Sequence, residues 1–148
     1  MASFADTSRR AGAAAALILI SAGAAHATQV EVMVTGVRDT KGHVHVDICT
    51  RDTFLKEDCP YSGDANSTPG GTLVTVNNVP PGEYAVQAFQ DKTDQGVIHQ
   101  GLLGIPKEPI GFSNNAPLRL RGPSFRDAAI DVGRGVKRIT LTLRHLFH

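Results

Sequence analysis

Apolar residues recur at every second position in several stretches of this chain, and that period decides what it can fold into. Val30, Val32 and Val34 alternate with Glu31, Met33 and Thr35, and Val44, Val46 and Ile48 alternate with His43, His45 and Asp47. Ala128, Ile130 and Val132, then Ile139, Leu141 and Leu143, repeat the pattern towards the C-terminal end. Successive side chains of an extended strand point to opposite faces, so each stretch predicts a strand with one buried side. Leu73 to Val79 reads as another strand, and Tyr84, Val86 and Ala88 as the inward face of a further one. Asp39-Thr40-Lys41-Gly42, Pro80-Pro81-Gly82 and Gly133-Arg134-Gly135 supply turn chemistry between them. Residues 50–67 read as polar and irregular, with one helical turn near Thr53-Phe54-Leu55. No amphipathic helix of useful length is legible. The expectation is an all-β fold: an antiparallel Greek-key β-sandwich, immunoglobulin- or transthyretin-like, of six to seven strands with one long loop. Pro-Gly-Glu-Tyr entering a strand also resembles a tyrosine corner, which makes Tyr84 structural.

The first 27 residues do not share this pattern. Arg9 and Arg10 precede an apolar run over residues 11–25, and Ala25-His26-Ala27 fits the small-x-small rule for signal peptidase. Residues 1–27 are expected to be a signal peptide, of the general secretory or the twin-arginine type, and residues 28–148 a single exported domain, periplasmic or extracellular. No later run is long and apolar enough for a membrane helix, so no membrane insertion is expected after cleavage. Removal of Asp6, Arg9 and Arg10 leaves acidic and basic residues in balance, which gives no pull towards nucleic acid. Cys49 and Cys59, an even pair in an exported chain, are expected to form a structural disulfide.

Between residues 91 and 125 lies a loop of about 35 residues, dense in Gly, Pro, Ser and Asn. Its apolar content (Leu102, Leu103, Ile105, Ile110, Phe112, Leu118, Phe125) is too high for a disordered linker. Lys107, Glu108, Phe112, Ser113, Asn114 and Asn115 are the candidate ligand-binding residues. A charge pair, two amides and a hydroxyl beside aromatic rings suit a glycan or a peptide. The competing reading is that Asn and Ser satisfy the loop's own backbone while Phe112 and Phe125 plug it onto the sandwich.

His43, His45 and Asp47 share one strand face, and His-x-His on a strand can present two imidazoles to a transition metal. A further ligand would come from His99, His145 or His148. A sandwich already requires a polar outer face there, so a solvated face is the first expectation and a metal site the alternative. Catalysis is not expected. There is no Gly-x-Ser-x-Gly and no phosphate-binding loop, and a Ser113 or Ser124 nucleophile would need a histidine brought to it by the fold.

The order Pro-Pro-Gly-x-Tyr-Ala-Val, Gly-x-Pro-Lys-Glu, Gly-Phe-Ser-Asn-Asn, Gly-Pro-x-Phe-x-x-Ala resembles an exported bacterial domain-of-unknown-function family (number 2141). The resemblance runs from about Val30 to Leu143 and implies a secreted, transthyretin-like β-sandwich without an established activity. The family pattern His-Asp-x-Asn-x-Asn-Gly-x-x-Asp looks like a calcium loop. At the matching positions stand Gln90, Asp91, Thr93, Gln95, Gly96 and His99, so the resemblance implies a site lost or loosened here. Transthyretin-like hydrolases end in Tyr-Arg-Gly-Ser, which this chain lacks. The sequence-based expectation is therefore a non-catalytic binding or accessory module working through the 91–125 loop, without a cofactor. Its partner would be a polar ligand, glycan or peptide, or another envelope protein. The alternative is a metal-binding periplasmic protein using His43 and His45, or the degenerate Asp91 loop.

Overall fold

A computed structural model describes residues 28–94, 107–119 and 121–145. The expected signal peptide lies outside these residues, as do Leu102, Leu103, Ile105, His99 and His148. The elements are β1 (Thr28–Thr35), β2 (His43–Cys49), β3 (Tyr61–Asn66), β4 (Gly71–Val79), β5 (Gly82–Asp91), β6 (Ile110–Phe112), a 3-10 turn (Ser113–Asn115), α1 (Phe125–Ala128), β7 (Ala129–Val132) and β8 (Val136–Thr142).

Two sheets form. One runs β4-β1-β8; the other runs β3-β2-β5-β6, with β7 also paired to β5. The alternation places Val30, Val32, Val34, Val74, Val76 and Leu141 of the first sheet against Val44, Val46, Ile48, Val86 and Ala88 of the second. Each fully buried valine of this layer contributes roughly 1.5 kcal/mol or more. The β-sandwich is thus as the period predicts, but it is not wholly antiparallel. β8 lies parallel to β1, from Gln29↔Val136 to Thr35↔Thr142. A period of two reveals which face of a strand is buried, not which neighbour it takes or in which direction.

The expected disulfide is present between Cys49 and Cys59, and Tyr84 donates its hydroxyl to the Pro80 carbonyl at 2.8 Å as a tyrosine corner should. A helical turn does follow β2, with Phe54 N–H donating to Thr50 O at 3.0 Å. The rest of residues 50–67 is not irregular throughout. Tyr61–Asn66 is an edge strand whose polar composition hides it, held antiparallel to β2.

The long loop also has structure of its own. Phe112 and Ala116 join Cys49, Phe54, Ala85, Phe89, Ile110 and Ala128 in a second core on the outer side of the β5 sheet. Phe54 meets the rings of Phe112 and Phe125 edge-on at 5.8 and 6.0 Å. This is why β5 is buried on both faces instead of alternating. The second core covers only part of the outer face, and the uncovered part is polar.

Candidate metal centre

The uncovered surface is built by register. On β2, alternation turns His43, His45 and Asp47 outwards while Val44, Val46 and Ile48 face the core. Antiparallel pairing sets Asp64 of β3 opposite His45, and Asp91 of β5 opposite His43. Residues paired or diagonal across neighbouring strands are close enough for long side chains to meet. The Asp64 carboxylate therefore reaches both imidazoles: its Oδ1 lies 3.1 Å from His43 Nε2 and 2.6 Å from His45 Nδ1. Asp91 Oδ2 lies 3.7 Å from the same His43 nitrogen.

Ligand atoms of His43, His45 and Asp64 all fall within 4.8 Å of one another. Zinc bonds nitrogen and oxygen at about 2.0–2.2 Å, so neighbouring ligands in a tetrahedron stand about 3.3 Å apart. The cluster is close to that spacing already, and Asp91 stands outside it beside His43. The ring of Phe89 backs His45 at 5.3 Å between centroids and walls the cluster on the side of the second core. Asp64 is half exposed, so the opposite side is open to solvent.

Without a metal the same atoms form a proton network. His45 Nε2 meets Asp47 Oδ1 at 2.9 Å and Nδ1 meets Asp64 Oδ1. The bond to Asp47 first, with that to Asp64, holds the imidazolium of His45 up to about 9 against the opposing effect of burial. The sign follows. A folded-state pKa above the unfolded value of about 6.5 stabilises the native state fully below that value, and the contribution is lost as pH rises through 9. In the presence of a chelator, the urea midpoint should therefore fall between pH 6.5 and pH 9. In a His45→Gln variant that part of the decline should be absent.

Backbone geometry fixes the cluster. Gly42, at φ +61°, precedes His43 and lies so close to the end of β5 that a Cβ there would fall 1.8 Å from Asp91 O. The turn before it is anchored by Asp39, whose Oδ1 accepts from Lys41 N at 3.0 Å and Gln90 Nε2 at 2.8 Å, and whose Oδ2 accepts from Lys92 Nζ at 3.1 Å. The bond from the Lys41 backbone, then that from Lys92, holds the Asp39 carboxyl below its ordinary pKa. Gln90, first of the calcium-type positions, is buried and spends its amide on Asp39, the Lys41 carbonyl and Ser67. It does not face Asp91's partners. Gln95, Gly96 and His99 of that pattern lie outside the described residues.

The loop candidates are placed differently from expectation. Ser113 is fully buried and Phe112 nearly so, which corrects both as surface contacts. Ser113 Oγ accepts from Val86 N at 2.9 Å and donates to Ala128 O. Asn114 Nδ2 donates to Ala129 O at 2.8 Å and to Asp127 O at 3.2 Å, and Asn115 Oδ1 accepts from Thr142 N at 3.0 Å. Both asparagines have positive φ (58° and 47°), a conformation Asn tolerates better than most residues. These side chains satisfy backbone groups of β5, α1, β7 and β8 and so tie the loop to the sandwich. Lys107 is exposed and Glu108 partly buried at the bend before β6. Asp64 escaped sequence reasoning because its strand did.

Residues 32–140 match the sequence profile described as "Uncharacterized protein conserved in bacteria (DUF2141)". No curated protein matches the chain. Among solved structures, a pilus-presented adhesin, Spy0125 (Cpa), is similar at a TM-score of 0.30 and 12% identity over 79% of this chain. The match spans 26% of the adhesin, about a quarter of its length, and a superposition this loose carries no argument about topology or function.

Proposed function

The chain belongs to the family of uncharacterized proteins conserved in bacteria (DUF2141), and on that premise we propose that it is an exported, non-catalytic module that holds one divalent transition-metal ion on its outer sheet face. The observation that carries this reading is the meeting of His43 Nε2 and His45 Nδ1 at one carboxylate oxygen of Asp64. Two imidazoles with a carboxylate suit zinc, copper or nickel. Calcium, which wants six to eight oxygens, is disfavoured by the same donors. The open side marks an exchangeable ion, since buried structural sites are closed by four protein ligands. Export is supported by the disulfide, which persists in oxidising compartments. Among the described residues no helix is long and apolar enough to cross a membrane. The alternative surface, a glycan or peptide site on the 91–125 loop, retains Lys107 and Glu108 but has its asparagines and Ser113 engaged with backbone.

Calorimetric titration of metal-free protein tests the reading. Zinc or copper is expected to bind one to one and, at a hundredfold excess over Kd, to stabilise by about 2.7 kcal/mol. Calcium at equal concentration should do neither. The double variant His43→Ala/His45→Ala should lose stoichiometric binding while remaining folded, because both side chains lie on the outer face. One-to-one zinc binding retained in that variant would refute the proposal.

A further inference from the structure

Each imidazole of the cluster has one nitrogen turned inwards to Asp64 and the other held by a different carboxylate. His43 Nδ1 lies 2.5 Å from Asp94 Oδ1, and His45 Nε2 lies 2.9 Å from Asp47 Oδ1. Neither carboxylate is among the three residues whose ligand atoms cluster. Asp47 is itself positioned, because Gln87 Nε2 donates to its Oδ2 at 3.2 Å and also reaches the Lys56 carbonyl at 3.4 Å. Asp94 stands just beyond β5, at φ +55°, so its approach to His43 depends on a left-handed residue in the turn.

Resting on the metal-binding reading above, we infer that Asp47 and Asp94 are positioning residues that choose which imidazole nitrogen meets the ion. A nitrogen that binds a metal carries no proton, so with the ion on the nitrogens facing Asp64 each ring keeps its proton on the far nitrogen, where Asp94 accepts from His43 Nδ1 and Asp47 from His45 Nε2. The nitrogens left to the metal are His43 Nε2 and His45 Nδ1, the two that converge on Asp64. When the ion arrives it takes the place of any proton on His45 Nδ1, and that proton leaves to solvent. The outer carboxylates raise the donor strength of each ring and fix its plane. The arrangement therefore predicts an asymmetric pair, one histidine bound through Nε2 and the other through Nδ1. Two solvent-exposed histidines on a plain strand face would have no reason to differ.

Zinc-loaded, 15N-labelled protein answers this through long-range 1H–15N correlations, which separate the bound nitrogen from the protonated one. The expected result is Nε2 coordination at His43 and Nδ1 coordination at His45. Asp94→Asn and Asp47→Asn should each weaken zinc roughly 10- to 100-fold. Asp94→Glu and Asp47→Glu should recover part of the loss. Asp94 is mostly exposed, so its variants keep the inference testable even if Asp47→Asn disturbs the sheet. Zinc bound at full affinity by Asp94→Asn and by Asp47→Asn, or the two histidines bound through the same type of nitrogen, would overturn this assignment and leave the metal centre standing. Failure of the unaltered protein to bind zinc, copper or nickel would overturn both.

Discussion

Gly42→Ala is expected to destabilise the domain by about 3 kcal/mol or more and to abolish tight metal binding with it. The added methyl would sit 1.8 Å from the Asp91 carbonyl oxygen and 2.8 Å from Lys92 Cα, both backbone atoms that no rotamer change can move. Relief requires the start of β2 to part from the end of β5, and that is where His43 faces Asp91. Gly70→Ala provides the control. Gly70 also has positive φ, at +87°, but nothing lies within 4 Å of its would-be Cβ. It isolates the conformational cost, about 1 kcal/mol. Urea midpoints of the two variants, compared with the parent, measure the difference. Equal effects would show that close approach at Gly42 is not what holds the strands together.

Ser113→Ala should cost about 2–3 kcal/mol, a large effect for one oxygen atom. On the edge of β5 remote from β2, β7 pairs with residues 82–85 and β6 with residues 87–89, so Val86 falls between two ladders. The Ser113 hydroxyl fills that gap by accepting from Val86 N and donating to Ala128 O. With alanine there, a buried N–H and a buried carbonyl lose their partner, and the site is too enclosed for bulk water to replace it. Ser113→Thr retains the hydroxyl and should recover part of the loss if the extra methyl is accommodated. Hydrogen exchange at Val86 reports the effect directly: it should accelerate in the alanine variant relative to the amides of β1. Unchanged protection at Val86 would mean that the hydroxyl is not its essential partner.

Strands with one wet face were legible in the sequence, because β1 and β2 advertise their burial at every second residue. β3 was not. Tyr61-Ser62-Gly63-Asp64-Ala65-Asn66 carries no β-branched residue, and it is a strand only because β2 offers it an edge to pair with. Asp64 was lost with it, and so was the convergence of His43 and His45 on a third ligand. β5 was legible through Tyr84, Val86 and Ala88 on its inward face, but the second core that covers its other face was not. Ser113 and the two asparagines were legible as loop residues, but their hydrogen-bond partners lie up to 27 positions away in sequence and are set by tertiary pairing. The parallel course of β8 beside β1 depends on contacts more than 100 residues apart, which no local pattern encodes.

That parallel pairing gives the molecule a head and a tail. β1 enters at Thr28 and advances over eight residues, about 25 Å, before the chain turns into His43. The end of β8 arrives at the same pole, where Leu143 N–H bonds Thr35 O at 2.9 Å. Any segment joined ahead of Thr28 grips the domain by its far pole, like a handle, and presents the histidine–aspartate face outwards. The end of β8 lies instead at the pole where His43 begins β2. For immobilisation on a sensor surface, or for display on a scaffold, the N-terminal side is the end to hold.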